Sequence, residues 1–191
     1  MGEGYLSTPL IFLVQVIFGL YALVALLRFL LQLVRADFYN PVSQFIVRIT
    51  SPILVPLRRV IPPVGGKDTA SLVLAWLVLA LQLLLIYAIA GQGFQPLAAL
   101  LLAIPELIGL GIDIFLYSIL ILVIISWVNP GGHNPAIGVL GALTHPLMAP
   151  ARRLLPPIGG LDLSPMLVMI GLVLLKMLLI PPLKALLLGL L

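Results

Sequence analysis

The sequence predicts an all-α membrane protein with four transmembrane helices, built from two tandem parallel repeats. Each repeat carries an amphipathic interfacial helix and a Pro/Arg/Gly-rich cytoplasmic loop. Three observations carry that expectation. Apolar residues make up 62% of the 191 residues and charged residues only 8%, with mean hydropathy +1.28; a soluble domain carries roughly a quarter charged residues. Residues 4–27 and 69–105 contain no charge, and about 20 apolar residues cross the hydrocarbon core. The stretch TSPILVPLRRVIPPVGGKDTASL at 50–72 returns without a gap as THPLMAPARRLLPPIGGLDLSPM at 144–166.

At that offset of 94 residues, Pro52, Pro56, Gly65, Gly66 and Asp68 fall on Pro146, Pro150, Gly159, Gly160 and Asp162. The pair Arg58-Arg59 falls on Arg152-Arg153, and Asn40-Pro41 on Asn134-Pro135. Ungapped identity at prolines, paired arginines and paired glycines marks a tandem duplication, with residues 1–96 as the first repeat and 97–191 as the second.

The first span covers about residues 9–34 and reads as uncleaved, because no basic n-region precedes it. Arg28, Gln32 and Arg35 share one helical face at its end, either as snorkelling groups or as a functional polar stripe. Asn40-Pro41 starts the amphipathic helix, Asn capping free amides and Pro fitting the first helical position. Phe45, Ile46 and Ile49 lie on one side of that helix, so it suits the interface plane. Pro52 and Pro56 are expected to cut the following path into short pieces, leaving Arg58-Arg59 in a stiff loop. Gly65-Gly66 permits a turn with positive φ, and Asp68 is placed to cap the second span, about residues 69–90. Leu97–Ile104 is too short to cross and reads as an interfacial or re-entrant piece. The third span is about 106–128. The second amphipathic helix follows at about 135–143; it has no charge and carries small residues, so it is expected to be covered by protein. The fourth span, about 164–180, is expected to end at Pro181-Pro182.

Arg35, Arg48, Arg58, Arg59 and Lys67 follow span one, and Arg152 and Arg153 follow span three. The positive-inside rule puts these stretches in the cytoplasm and both termini outside, with Lys184 as the dissenting charge. Two spans per half keep the halves parallel, with a pseudo-two-fold axis along the membrane normal.

The segment RADFYNPVSQFIVRITSPILVPLRRVIPPVGGKD resembles the signature of the YggT family, also called YlmG, and the second copy resembles it too. The resemblance implies a small bacterial inner-membrane protein with plastid relatives. It also implies links to osmotic stress and potassium uptake, to cell division, or to maturation of a b-type cytochrome and nucleoid distribution. It brings no catalytic residues to carry over. The second copy reads NPGGHNPAIG where the first reads RADFYNPVSQ, so whatever Asp37, Phe38 and Tyr39 do is done once per chain.

The arginine pairs are expected either to grip lipid phosphate or acidic groups of a partner, or to enforce topology alone. Asp68 and Asp162 read as helix caps in preference to proton donors. Asp113 and Lys176 are lone charges inside two spans, placed by this reading in the outer leaflet. Intramembrane charges are costly and usually paired. An Asp113–Lys176 pair is therefore expected, as a structural pin or as a proton- or cation-responsive element. No cysteine is present, which excludes disulfides and thiolate metal sites. His133 and His145 lie in loops, whereas axial haem ligands would sit at depth. No cofactor, metal site, nucleic-acid partner or small-molecule substrate is expected. The expected partners are membrane lipids and either other membrane proteins or further copies of the chain. The expected role is a non-enzymatic scaffold or assembly factor. The alternative is a small oligomeric channel or transporter subunit in osmotic or potassium homeostasis.

Overall fold

A computed structural model describes residues 3–128, 134–155 and 162–190. Among these, the chain forms α1 (Glu3–Leu33), α2 (Pro41–Val60), α3 (Thr69–Ile89), α4 (Pro96–Val128), α5 (Pro135–Leu154) and α6 (Ser164–Leu188). Four of them, α1, α3, α4 and α6, are long and apolar enough to cross a membrane. The duplication is visible element by element. The bounds of α2 moved by 94 residues are those of α5, and α1 and α3 fall on α4 and α6 to within a few residues.

The long helices pack in the order α1–α3–α4–α6, with α2 against α1 and α3, and α5 against α4 and α6. Small residues set the closest approaches. Ala22 of α1, Ala80 of α3 and Ala103 of α4 are buried in one cluster, where short side chains let backbones come close. The largest cluster joins Ala25 and Leu30 of α1, Leu54 of α2, Leu74 of α3 and Leu143 of α5. A third holds Ile112 and Ile119 of α4 with Met148 of α5 and Leu172 of α6.

Proline breaks none of these helices, which corrects three expectations. The piece at 97–104 is the first part of α4, a helix of 33 residues that runs through Pro105. Pro105 removes one backbone donor. Beside it, the indole nitrogen of Trp76 donates to the Leu100 carbonyl at 3.0 Å, and Ala98, Ala99 and Ala103 are buried. Helix α2 is continuous through Pro52 and Pro56, and α5 through Pro146 and Pro150. All four prolines lie on exposed faces, where a ring displaces no neighbour. The arginine pairs therefore occupy the last helical turns of α2 and α5, not loops. Cations there also meet the negative end of the helix dipole. Likewise, α6 continues through Pro181 and Pro182 to Leu188.

Asn40 and Asn134 accept from the backbone amides of Val42 at 2.9 Å and Ala136 at 3.0 Å, and so start α2 and α5. Gly65 and Gly66, at φ 59° and 73°, make the turn between α2 and α3. A Cβ at either would meet nothing within 4 Å, so backbone conformation alone asks for glycine there. Gly159 and Gly160 lie outside the described residues.

Candidate functional site

The last turn of α2 and the first residue before α3 are joined by a clasp. Arg58 donates from Nε to Asp68 Oδ1 at 3.2 Å and from Nη2 to Asp68 Oδ2 at 2.5 Å. The Asp68 carboxylate is 6% exposed. Its backbone amide donates to Gln32 of α1 at 3.0 Å, and Arg28 Nε stands 3.8 Å from Oδ2. The carboxylate does not cap α3; it is committed to arginine, a stronger charge-assisted partner. The Asp68 carbonyl takes the capping role, accepting from the Ser71 amide and hydroxyl.

The second repeat builds the same clasp more loosely. Arg152 Nε donates to Asp162 Oδ2 at 2.9 Å, and the Asp162 carboxylate is 31% exposed. Here the carboxylate also serves the helix start, since Oδ1 accepts from the Ser164 amide at 3.0 Å and from the Ser164 hydroxyl. Burial pushes the Asp162 carboxyl up, but the Ser164 bonds and Arg152 outweigh it and hold it below the usual aspartate range.

Within each pair of arginines, one member belongs to the fold. Arg58 and Arg152 close the clasps. Arg59 and Arg153 are exposed and have no ion-pair partner among the described residues.

Arg28 does not snorkel. Its side chain is 11% exposed, and Nη1 donates to the Val47 carbonyl at 3.1 Å, Thr50 Oγ1 at 2.5 Å and Ser51 Oγ at 3.2 Å. Thr50 and Ser51 turn their own hydrogens back to the carbonyls of Ile46 and Val47, which leaves their lone pairs for the guanidinium. Thr144, the counterpart of Thr50, makes the same backward bond to Leu140, but the counterpart of Arg28 is Leu122.

Beside each clasp lies a cavity. The first, of about 510 Å³, is lined by Arg28, Gln32, Arg35, Ser43, Arg58 and Asp68 over an apolar floor that includes Leu31 and Ile46. The second, of about 760 Å³, occupies the equivalent place beside Arg152 and Asp162, with Thr144, His145 and three methionines, Met148, Met166 and Met169. Duplication has left one basic cavity and one apolar one.

Asp37, Phe38 and Tyr39 form the turn before α2. Asp37 accepts from the Tyr39 amide at 2.9 Å, and the two exposed rings meet edge to face with centroids 5.7 Å apart. Phe38 reaches the first cavity. Next to them, the Asn40 side chain donates to the Pro135 carbonyl at 2.8 Å and ties the repeats together. His133 lies outside the described residues.

Asp113 and Lys176 meet in the seam between α4 and α6. Lys176 Nζ donates to both carboxylate oxygens, at 2.6 and 2.7 Å. Because α4 begins at Pro96, Asp113 sits near the middle of its helix, about 25 Å from that start at about 1.5 Å per residue. The expected span start at about residue 106, which put Asp113 near the outer end of its helix, is thereby corrected. A second pair was not foreseen: Lys184 Nζ donates to Glu106 at 2.6 Å. Gly109 lies between the two pairs on α4, where an added Cβ would stand 3.9 Å from Ile180 and from the Lys176 stem. Antiparallel packing brings 106, 109 and 113 opposite 184, 180 and 176.

Four long apolar helices and a doubled Arg–Asp clasp define a multi-pass membrane protein made of two tandem repeats. The chain belongs to the CCB3/YggT family, whose model matches it twice, at residues 7–89 and 101–183. It is 48% identical over 182 residues to a protein of Pseudomonas aeruginosa, covering 94% of this chain and 92% of that one. It is 44% identical over 163 residues to a protein of Vibrio alginolyticus, covering 84% and 88%. With the protein named YggT of Escherichia coli K12 the identity is 41% over 170 residues, covering 88% and 87%. No solved structure matches.

Proposed function

We propose that the protein is a non-enzymatic scaffold or assembly factor of the bacterial inner membrane, acting in envelope or osmotic stress, in cell division or in maturation of a membrane complex. The observation that carries this reading is the division of labour inside each arginine pair. A clasped arginine fixes the end of α2 or α5, and the next arginine stands exposed at the same position of each repeat. A guanidinium carried on a fixed helix end suits recognition of a partner's carboxylates, because the backbone that presents it is already ordered before binding. The two helices lie in the interface with their buried faces inward, and their basic ends lie in the cytoplasm. Lys184, the charge that opposed this orientation, is neutralised by Glu106.

The test places a photo-crosslinking residue at Val60 or at its counterpart Leu154, exposed at 79% and 76% and adjacent to Arg59 and Arg153. Capture in cells of one defined foreign membrane protein, lost in Arg59→Ala and Arg153→Ala, is the expected result. Self-crosslinks alone would overturn it in favour of a small oligomeric channel or transporter subunit. One observation favours that second reading: the Asp113–Lys176 and Glu106–Lys184 pairs are each about one third to two fifths exposed at the bundle surface. Charges at such depth call for cover by protein or water.

A further inference from the structure

The cavity of the first repeat holds three guanidiniums, Arg28, Arg35 and Arg58, against the single carboxylate of Asp68. Asp68 is shared between Arg58 and Arg28, and Arg35 has no ion-pair partner among the described residues. The site therefore carries uncompensated positive charge in a cavity of about 510 Å³. A second, independent feature points the same way. Ser43 lines the cavity, is 6% exposed, and its buried hydroxyl meets no hydrogen-bond partner. Buried hydroxyls are almost always bonded, so a donor left open beside three arginines indicates an acceptor that arrives with a ligand. The floor is apolar, with Leu31, Ala36, Ile46 and Val47, which suits a molecule that carries hydrocarbon next to its charge.

We propose that this cavity binds a phosphate group, presented by a phospholipid headgroup or by a soluble phosphoester. Guanidinium forks match phosphate oxygens in geometry and charge, and Ser43 supplies a further donor. Arg35 is the arginine free to close on the ligand. It leaves α1 with φ 55°, as the left-handed residue of a Schellman end in which the Ala36 amide donates to the Leu31 carbonyl and the Arg35 amide to the Gln32 carbonyl. The second repeat lacks this chemistry. Leu122 replaces Arg28, Asn129 replaces Arg35 and Ile137 replaces Ser43, so one phosphate is bound per chain.

The experiment uses the full chain in detergent. Retention of phosphatidic acid, phosphatidylglycerol and phosphatidylcholine is read by native mass spectrometry, and glycerol 3-phosphate and inorganic phosphate are titrated by calorimetry. Arg35→Gln and Ser43→Ala leave both clasps intact, and Arg48→Gln removes an exposed arginine outside the cavity. The expected result is binding of about one anionic ligand per chain, weakened about tenfold or more by Arg35→Gln and several-fold by Ser43→Ala, and unchanged by Arg48→Gln. Loss with the lipids alone identifies a headgroup as the source, and loss with the soluble phosphates as well identifies the phosphate itself. Equal weakening by Arg35→Gln and Arg48→Gln would reduce the effect to general surface charge and overturn the site, as would the absence of binding by every probe. Crosslinking at Val60 and Leu154 reads a different surface, so the scaffold and the phosphate site fail separately.

Discussion

Replacing Lys176 with Gln strands a carboxylate in the middle of a long apolar helix. Lys176 lies about 18 Å along α6 from Ser164 and about the same distance from Leu188, too far from either end for a side chain to reach water. At the 2.6 and 2.7 Å separations of the pair, the attraction is about 6 kcal/mol at an effective dielectric constant of about 20. An unpaired charge at a helix centre costs about 2.5–3.5 kcal/mol on insertion scales. Each single variant, Lys176→Gln or Asp113→Asn, is therefore expected to destabilise the folded chain by about 3 kcal/mol. The double variant leaves no charge and costs less than either, for a coupling of at least about 3 kcal/mol. Reversible unfolding in mixed micelles, followed by Trp76 and Trp127 fluorescence, measures all four corners of the cycle. A coupling below about 0.5 kcal/mol would refute the pairing and with it the antiparallel register of α4 and α6.

Three further outcomes are expected. Asp68→Asn costs about 2–4 kcal/mol, since it leaves Arg58 and the buried Arg28 without their carboxylate, whereas Asp162→Asn, in a clasp 31% exposed, costs about 1 kcal/mol; the same unfolding assay compares them. The Asp162 carboxyl is held below its usual range, so its contribution is present above the unfolded value near pH ~3.9 and is lost as pH falls through the lower folded value. Thermal midpoints read downward from about pH 6 should fall more steeply for the natural chain than for Asp162→Asn below about pH 4. Trp76→Phe removes the indole donor to the Leu100 carbonyl and should lower stability by about 1–2 kcal/mol, with faster amide exchange in the first turns of α4.

What the sequence made legible was set by isolation. Asp113 and Lys176 stand alone in long uncharged stretches, so each had one plausible partner. Arg58 and Asp68 were visible as repeated residues, but their union was not, because Asp before a helix also reads as a cap and only the fold decides which donor it meets. Snorkelling and a polar stripe both stay open for Arg28 in the sequence, because a guanidinium near the end of a span snorkels unless another helix offers acceptors. Thr50 and Ser51 do so from 22 and 23 residues away. The Glu106–Lys184 pair was lost when α4 and α6 were cut at Pro105 and Pro181. With both helices continuous, Glu106 lies two turns before Asp113 and Lys184 two turns beyond Lys176, and the ladder follows. Proline inside the helices misleads because its cost depends on which side its ring faces, a matter of tertiary placement, whereas Pro41 and Pro135 stand at helix starts as expected.

The prolines of α2 and α5 also act as a depth gauge. Each denies a hydrogen bond to the carbonyl four residues earlier, so Arg48 and Pro52 in α2, and Ala142 and Pro146 in α5, keep oxygens that the helix itself does not satisfy. The four-residue spacing of the prolines lines these oxygens up along one side, on the exposed faces of both helices. Hydrocarbon supplies no donors, and each unsatisfied backbone group costs several kcal/mol there. On the interfacial placement proposed for α2 and α5, each helix would sink into the bilayer only until its proline side reached the waterline. With both halves in the parallel orientation proposed above, the two copies of the motif would set one draught for the whole molecule.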